Sequence, residues 1–304
     1  MTKEMLTTKE VAEYLSINEK QVYRLIRDRK IPATRITGKW LFPKQLVDEW
    51  LLSSARENVG ARRQQMPSGN QLVIAGSNDL ALELLTKNVS LQFPACTISI
   101  SNIGSLGGLV ALQRRSCHIA ASHLLDVETG EYNVPAIKEH FSELNVRVLN
   151  LCYREQGLIV KHGNPMGIQN LGDLVNKRAL FVNRQEGSGT RVLFDHRLKL
   201  NGIDPATVRG YDRIACTHME VALDIFSGAA DAGIGILAAA RMLGLGFVPL
   251  AKERFDLIVA VQDLSAGPVK ALRQVLASEK FRLEVSQMEG YDTRDTGKLL
   301  YESD

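Results

Sequence analysis

A strand that turns through glycines into a helix, at residues 181–193 (FVNRQEGSGTRVL), constrains this chain more than any other stretch. Its start is apolar and is typical of the end of a buried strand. A helix is predicted from Thr190 onward by the spacing of Val192, Leu193, Asp195, His196 and Leu198. Such a turn aims unpaired backbone N–H groups and the positive end of the helix dipole at one point. It is therefore either an anion-binding site or an ordinary turn in which Ser188 caps the helix.

The same alternation of strand and helix continues through the chain from residue 71. Strands are predicted at residues 72–75, 97–100, 119–121, 146–151, 157–160 and 231–236, and helices at residues 80–85, 109–115 and 218–226. Three turns after strands carry small or hydroxyl residues, at residues 76–78, 104–105 and 187–190. This pattern predicts an α/β domain that holds a ligand at the carboxyl ends of its strands.

The first fifty residues follow a different pattern, with two short helices. Thr7 and Glu10 form a capping box for one helix, and Asn18 with Gln21 opens the second. The second helix has an apolar face (Val22, Leu25, Ile26) and a polar, basic face (Lys20, Gln21, Tyr23, Arg24, Arg27). Extended residues 33–36 and 40–42 and a helix at residues 43–52 are predicted to complete a winged helix-turn-helix.

Charge is distributed unevenly between the two parts. The formal net charge is +3, but residues 1–66 carry 13 Lys and Arg against 8 Asp and Glu, whereas residues 67–304 carry 24 against 26. A basic character confined to the small N-terminal part is typical of a polyanion-binding module. A short polar stretch at residues 56–70 is predicted to be a linker.

The N-terminal pattern LTTKEVAEYLSINEKQVYRLIRDRKIPATRITGKWLF…DEWL resembles the winged helix-turn-helix DNA-binding domain of the excisionase family, which is related to the MerR type. The resemblance assigns residues 1–55 to this domain and places the second helix in the major groove of DNA. It implies a DNA-binding set comprising Lys20, Gln21, Tyr23, Arg24, Arg27, Arg35 and Lys39.

The motifs NIGSLGGLVAL, ASHLLD, QGLIV…GNP, FVNRQEGSGTR, ADAGIGI and FVPLAKERFDLIV resemble the type II periplasmic-binding-protein fold and, more narrowly, its molybdate-binding-protein-like domains. The resemblance implies a two-lobed domain over residues 71–304, with lobe 1 at about 71–155 and 255–304 and lobe 2 at about 156–254. Residues 156–165 would cross to the second lobe and residues 248–259 would return.

The resemblance also implies an oxyanion held between the lobes by neutral hydroxyls and backbone N–H groups. The implied ligand-binding residues are Ser77, Asn78, Ser105, Leu106, Arg184, Ser188, Gly189, Thr190, His218, Val221 and Asp231. Arg184 and His218 depart from a purely neutral set, which leaves the identity of the anion open. Molybdate and tungstate are the first-choice ligands, and no cofactor or metal is expected.

These features predict a cytoplasmic, ligand-responsive transcriptional regulator that acts as a homodimer on a DNA operator and has no membrane partner. The N-terminus lacks a signal-peptide pattern, and no apolar run is long enough to span a membrane. The four cysteines show no metal-binding spacing. His118 and His123, which flank an apolar strand, are interpreted as structural.

Two other interpretations remain open. The chain could be an anion-binding protein whose N-terminal domain docks another protein. It could also be an enzyme on the binding-protein fold, with Cys152 and Cys216 near strand ends, although neither has a His or Asp at a catalytic spacing. We therefore expect that it is not an enzyme. The sequence does not distinguish an activator from a repressor.

Overall fold

The computed structural model describes residues 5–15, 17–27, 31–36, 39–48 and 69–303. The chain divides into two units, Met1–Gln64 and Gln65–Asp304. Except for residues 69–70, the predicted linker lies outside the described residues.

The first unit combines short helices with a small sheet. Its elements are β1 (Met5–Thr7), α1 (Thr8–Tyr14), α2 (Glu19–Arg27), β2 (Thr34–Ile36) and β3 (Lys39–Pro43), after which residues 44–48 are helical (α3). Both predicted capping boxes are confirmed: the Thr7 side chain accepts from the N–H of Glu10, and the Gln21 N–H donates to Asn18 Oδ1 at 2.9 Å. The core contains Leu6, Val11, Ala12, Val22, Ile31, Phe42 and Val47.

The sheet of this unit has the antiparallel order β1-β3-β2. The wing predicted at residues 33–42 is confirmed as the β2–β3 hairpin. Strand β1 was not predicted, because three residues directly before a helix cap are too few to show a strand pattern. Pro43, which was predicted to open a helix, ends β3 instead, and residues 49–52 of that predicted helix lie outside the described residues.

The second unit alternates strands and helices as the sequence predicts. Its helices are α4 (Leu80–Gln92), α5 (Gly104–Gln113), α6 (Val134–His140), α7 (Leu171–Asn176), α8 (Gly189–Leu200), α9 (His218–Phe226), α10 (Leu237–Met242), α11 (Gly267–Leu276) and α12 (Glu279–Ser286). Its strands are β4 (Gln71–Gly76), β5 (Thr97–Asn102), β6 (Ile119–Ser122), β7 (Val146–Val160), β8 (Phe181–Arg184), β9 (Ile214–Ala215), β10 (Ala232–Ile236), β11 (Gly246–Ala260), β12 (Tyr291–Asp292) and β13 (Leu299–Glu302).

These strands form a curled sheet with the order β5-β4-β6-β11-β7-β10-β8-β9, and β12 and β13 also pair with β7. Strand β4 is parallel to β5 and β6, and β8 is parallel to β9 and β10. We call the half that contains β4, β5 and β6 lobe 1, and the half that contains β8, β9 and β10 lobe 2.

Strands β7 and β11 run through both lobes and pair antiparallel from end to end. The prediction of separate strands at residues 146–151 and 157–160 is therefore wrong. The polar residues Arg154, Glu155 and Gln156 interrupt the apolar pattern, yet the strand continues through them. The predicted lobe boundaries, at residues 155/156 and 254/255, lie inside these two strands.

The start of α5 also differs from the prediction. Residues 102–108 were expected to form a turn before a helix at residue 109, but the helix begins at Gly104. The glycines serve close packing: a Cβ on Gly108 would lie 2.8 Å from the carbonyl oxygen of Ala75 at the end of β4. Ser105 and Leu106 therefore belong to the first turn of a helix.

Candidate functional site

The N-termini of α5 and α8 meet where the two lobes touch. A Cβ on Gly189, the first residue of α8, would lie 2.5 Å from the carbonyl oxygen of His123 in lobe 1. A Cβ on Gly104 would lie 3.1 Å from the carbonyl oxygen of Gly187 in lobe 2. Glycine at both positions lets the backbones of the two lobes approach closely.

Both helices present unpaired backbone donors at this contact. In the described part of the chain, the N–H groups of Ser105, Leu106, Gly189 and Thr190 have no hydrogen-bond acceptor. Ile103, the N-cap residue of α5, makes no side-chain capping bond. These donors and the two helix dipoles favour negative charge between the lobes.

Three of the predicted hydroxyl residues lie at this contact and are buried. Ser77 Oγ and Ser105 Oγ are 2.8 Å apart, and the His123 N–H donates to Ser105 Oγ at 3.0 Å. Across the contact, Gln156 Nε2 donates to Thr190 Oγ1 at 2.9 Å. The structure thus brings the turns after β4, β5 and β8 together, as the sequence predicts.

The fourth hydroxyl, that of Ser188, is engaged in capping α8. Ser188 Oγ accepts from the Arg191 N–H at 3.2 Å and donates to the Gln185 carbonyl at 2.8 Å. The sequence left open whether this residue caps the helix or binds an anion, and here its hydroxyl is a cap. The neighbouring N–H groups of Gly189 and Thr190 are the donors that remain.

Arg184, at the end of β8, is a buried guanidinium without an ion pair among the described residues. Its Nη2 donates to the Cys216 carbonyl at 2.8 Å, while Nε and Nη1 have no partner in that part of the chain. Burial, and secondly repulsion from Arg154, lower the pKa of Arg184 to about 10. Because an unpaired buried charge is costly, this arrangement calls for an anion as its complement.

A second buried cluster, which sequence reasoning missed, lies at the middle of the two long strands. Arg154 on β7 pairs with Glu253 on β11 and with Asp79 at the start of α4. His123 Nδ1 lies 2.9 Å from Glu253 Oε2, and the Tyr291 hydroxyl donates to Asp79 Oδ2 at 2.8 Å. Arg154 fell in the predicted gap between the strands at residues 146–151 and 157–160, and Glu253 fell in the segment predicted to return between the lobes.

The charges of this cluster stabilise each other. Burial by itself would raise the pKa of Glu253, but Arg154 and His123 outweigh it and lower that pKa to about 2. Arg154 Nη2 has no partner in the described part of the chain, so one donor of this guanidinium is also left over. His123 is therefore structural in part, but it also lies at the lobe contact.

His218, the first residue of α9, completes the group of buried polar side chains. Its Nδ1 has no partner among the described residues. Burial, followed by repulsion from Arg184, Arg154 and His123, holds the pKa of His218 well below its usual range. The Arg184 guanidinium, which has no ion pair among the described residues, thus helps to hold this imidazole in its neutral form.

The remaining predicted ligand-binding residues lie elsewhere or face another way. Asn78 Nδ2 donates to Glu83 Oε1 at 2.8 Å, the Leu106 side chain is exposed, and Val221 packs against Gly233 in the core.

Asp231 pairs with Lys161 at 2.8 Å and accepts from the Leu180 N–H. Because Asp231 precedes β10 and the contact lies at the far end of the parallel strand β8, Asp231 is at the opposite edge of the sheet. The sequence-based placement of Asp231 in the site is corrected accordingly.

In the first unit, the predicted DNA-binding face is an open groove. Asn18, Lys20, Gln21, Tyr23, Arg24 and Arg27 line a groove of about 580 Å³ along α2. On the wing, the Arg35 guanidinium lies 5.7 Å from the centre of the Trp40 ring, and Lys39 is exposed. Basic side chains thus occupy the exposed face of α2 and the adjoining hairpin.

Neither a metal centre nor a membrane span is found in the described residues. They contain no group of three or more His, Cys, Asp or Glu side chains placed to hold a metal ion. None of their helices is both long enough and apolar enough to cross a bilayer.

The fold and the lobe contact define a helix-turn-helix unit followed by a domain of the periplasmic-binding-protein type. Residues 5–55 match the family described as a helix-turn-helix domain, and residues 86–277 match the PBP superfamily domain. The chain belongs to the PBP superfamily-domain family. The excisionase-like helix-turn-helix and the binding-protein fold predicted from the sequence are confirmed.

One relative spans nearly all of this chain, and two solved structures match most of it. The uncharacterized protein YvgK of Bacillus subtilis (strain 168) is 32% identical over 304 residues, which cover 98% of each chain. A putative phosphate ABC transporter substrate-binding protein from Clostridium perfringens, solved with bound phosphate, has a TM-score of 0.55 at 14% identity and covers 72% of this chain and 98% of its own. A tungstate ABC transporter structure from Geobacter sulfurreducens has a TM-score of 0.52 at 13% identity and covers 71% and 97%. These two structures share the fold.

Proposed function

We propose that this protein is a DNA-binding transcriptional regulator whose larger domain senses a tetrahedral oxyanion bound between the lobes. The observation that carries the proposal is the buried guanidinium of Arg184, whose Nε and Nη1 have no partner in the described part of the chain. An oxyanion offers several acceptor oxygens and a compensating charge, so it meets the needs of Arg184 and of the free N–H groups of α5 and α8.

Molybdate or tungstate is the first-choice ligand, and phosphate is the main competitor. The sequence motifs favour the first pair, while the proteins of similar fold are named for phosphate as well as for tungstate. Sulfate has the same shape and charge as the molybdate dianion and serves as a further comparison.

Calorimetry on the full chain tests the sensor. Molybdate, tungstate, sulfate and phosphate are titrated separately, and chloride at equal ionic strength is the control. We expect saturable binding of at least one tetrahedral dianion with one anion per chain. Failure of all four to bind would overturn the sensor proposal.

The N-terminal domain is proposed to bind DNA through α2 and the wing. Lys20, Gln21, Tyr23 and Arg24 are exposed along one face, and a basic helix face of this kind fits the major groove. A shift assay at two salt concentrations tests this: affinity for DNA should fall steeply as salt rises, because phosphate contacts release counterions. If the N-terminal domain docks a protein instead, it should bind no DNA at either salt concentration.

We further propose that the protein acts as a homodimer in the cytoplasm, where the DNA is. A single winged domain covers little DNA, and two copies on a two-part operator would supply the missing contact area. Sedimentation of the full chain with and without operator DNA tests the dimer.

A binding role is favoured over an enzymatic one. Burial raises the pKa of the Cys152 thiol well above its usual range, which disfavours the reactive thiolate. The buried carboxylates of Asp79 and Glu253 are both paired with Arg154. We therefore propose that the anion is bound without being chemically changed.

A further inference from the structure

His123 and His218 are the histidines of the buried group, and histidine is the residue type whose charge changes near neutral pH. His123 Nδ1 already faces Glu253, whereas His218 is 1% exposed and its Nδ1 has no partner in the described part of the chain. Gly235 of β10 lies against the ring, where a Cβ on that glycine would be 3.6 Å from Nδ1. Because residue 235 is a glycine, β10 places no side chain against the imidazole at this position.

The charged groups around His218 come from four strands and its own helix. Burial is the largest cause that lowers the pKa of His218, and Arg184 of β8, Arg154 of β7 and His123 after β6 act in the same direction. Glu253 of β11 acts on Arg184 and His123, and Glu220 of α9 acts on Arg184. Burial and the nearby cations together favour the neutral imidazole, and an anion between the lobes would oppose the effect of the cations.

The net formal charge of the two buried arginines and two buried carboxylates is zero before an anion enters. Both carboxylates, those of Asp79 and Glu253, nevertheless pair with Arg154, and neither pairs with Arg184. A dianion between the lobes would leave two negative charges in excess in a region of low dielectric. A proton on the imidazole of His218 would remove half of that excess.

We infer that His218 takes up a proton when the oxyanion binds and then donates from Nδ1 towards it, so that the site binds one dianion together with one proton. This inference rests on the proposed function, since it concerns the same anion. The site should therefore prefer doubly charged over singly charged anions, because a single negative charge stabilises the protonated form of His218 less than two do.

The sign of the pH dependence follows from linkage. The pKa of His218 is low in the anion-free protein and rises when the anion is bound. Affinity is therefore greatest at low pH and falls as the pH rises through the bound-state pKa, by up to about tenfold per pH unit. Molybdate, tungstate and sulfate are suitable probes because their oxygens are fully deprotonated between about pH 6 and 8, where histidine titrates.

Calorimetry in buffers with different ionisation enthalpies counts the protons. With wild-type full-length chain, we expect the observed binding enthalpy to vary with the buffer in the sense of proton uptake, approaching about one proton per anion at the acid end. We also expect the affinity to decline from about pH 6 to 8. A binding enthalpy that is the same in every buffer, together with a flat affinity, would overturn the inference.

The variant His218→Gln separates this residue from the other histidines, with His140→Gln as a matched control because His140 is exposed on α6. We expect the first variant to bind the same anion without proton uptake and with an affinity that is constant within about twofold over this range, and the control to behave as wild type. Proton uptake that persists in His218→Gln would assign it to another group and overturn the inference. If the variant does not fold, as judged by circular dichroism, the buffer series on wild type still shows whether a proton is taken up with the anion. If no anion binds to wild type at any pH, the proposed sensor function fails instead.

Discussion

Arg184 can be tested directly because its charge is unpaired in the described structure. We expect Arg184→Met to lower oxyanion affinity by about a hundredfold or more, since it removes two charge-assisted donors. The anion-free protein should keep its stability or gain about 1 kcal/mol, because a buried charge without a partner is replaced by an apolar side chain of similar length.

The control for Arg184 is Arg209→Gln, an exposed arginine of the same lobe. Calorimetry measures the affinity, and denaturant unfolding without anion measures the stability. If Arg184→Met destabilises the anion-free protein by several kcal/mol, the guanidinium has a structural partner and is not held for an anion.

For Glu253 we expect the opposite effect on stability, because its charge is paired. Its pKa is lowered to about 2 in the folded chain, so it contributes stability that is present above its usual pKa and is lost as the pH falls towards about 2. Glu253→Gln should leave Arg154 short of a partner and reduce the free energy of unfolding by about 3–5 kcal/mol near neutral pH.

The same substitution should also flatten the acid limb of the stability profile. Below about pH 4 the unfolding free energy of the variant should fall less steeply than that of the wild type, as measured by denaturant unfolding at several pH values. Equal slopes in the two proteins would show that Glu253 does not titrate with unfolding.

For the buried site residues, the sequence showed which residue types are present but only partly which of them meet in space. Ser77, Ser105 and Thr190 were predicted at the site because strand ends in parallel sheets meet at one edge. Arg154 and Glu253 were missed because their partner lies on the other long strand, and only the register of β7 with β11 brings them together. The pairing of residues about a hundred positions apart leaves no local pattern in the sequence.

At the scale of elements, the first turn of α8 separates a capping role from a binding role. Ser188 Oγ caps the helix, so Ser188→Ala should reduce stability by about 1 kcal/mol. Its effect on anion affinity should stay below about threefold, because the N–H groups of Gly189 and Thr190 are the donors. The sequence left open which of these two roles Ser188 has.

Gly189→Ala should show the reverse, with its main effect on anion affinity and not on stability. Alanine suits a helix, but its Cβ would collide with the His123 carbonyl and hold the lobes apart, so affinity should fall by about tenfold to a hundredfold. Gly267→Ala, at a helix start with open space around it, is the control. Calorimetry on the three variants decides, and equal affinities for Gly189→Ala and wild type would mean that the anion does not require this lobe contact.

Elements were predictable where the signal is local. The capping boxes of α1 and α2 and the strand–turn–helix at α8 follow from residues within one turn of each other. The start of α5 was placed too late because glycines usually mark turns, whereas Gly108 is needed here for the approach of the helix to β4. Only tertiary packing distinguishes the two uses of glycine.

At the scale of the whole molecule, a regulator must couple its two ligands. If the oxyanion changes the affinity for operator DNA by some factor, then DNA must change the affinity for the oxyanion by the same factor. Such factors are typically about 5–150, which calorimetry and shift assays both resolve. Operator DNA for the measurement is obtained by in vitro selection with the full chain.

Two variants allow each side of the coupling to be removed separately. Arg24→Ala should weaken binding to operator and to random DNA and lower the salt slope by about one, while leaving anion affinity in the absence of DNA unchanged. Arg184→Met should bind operator as the anion-free wild type does, but without any response to molybdate or tungstate. The two substitutions lie in different units of the chain, so their effects on stability should be independent.

The reciprocal measurement decides the regulator proposal. In the wild type, the ratio of anion affinities with and without saturating operator should equal the ratio of DNA affinities with and without saturating anion, within error. If both ratios are one although each ligand binds, the larger domain and the N-terminal domain are uncoupled. The chain is then an anion-binding protein joined to a DNA-binding domain without regulation. Since a ligand shifts an equilibrium only through unequal affinity for its two states, ratios different from one require that operator DNA and the anion bias the same conformational equilibrium.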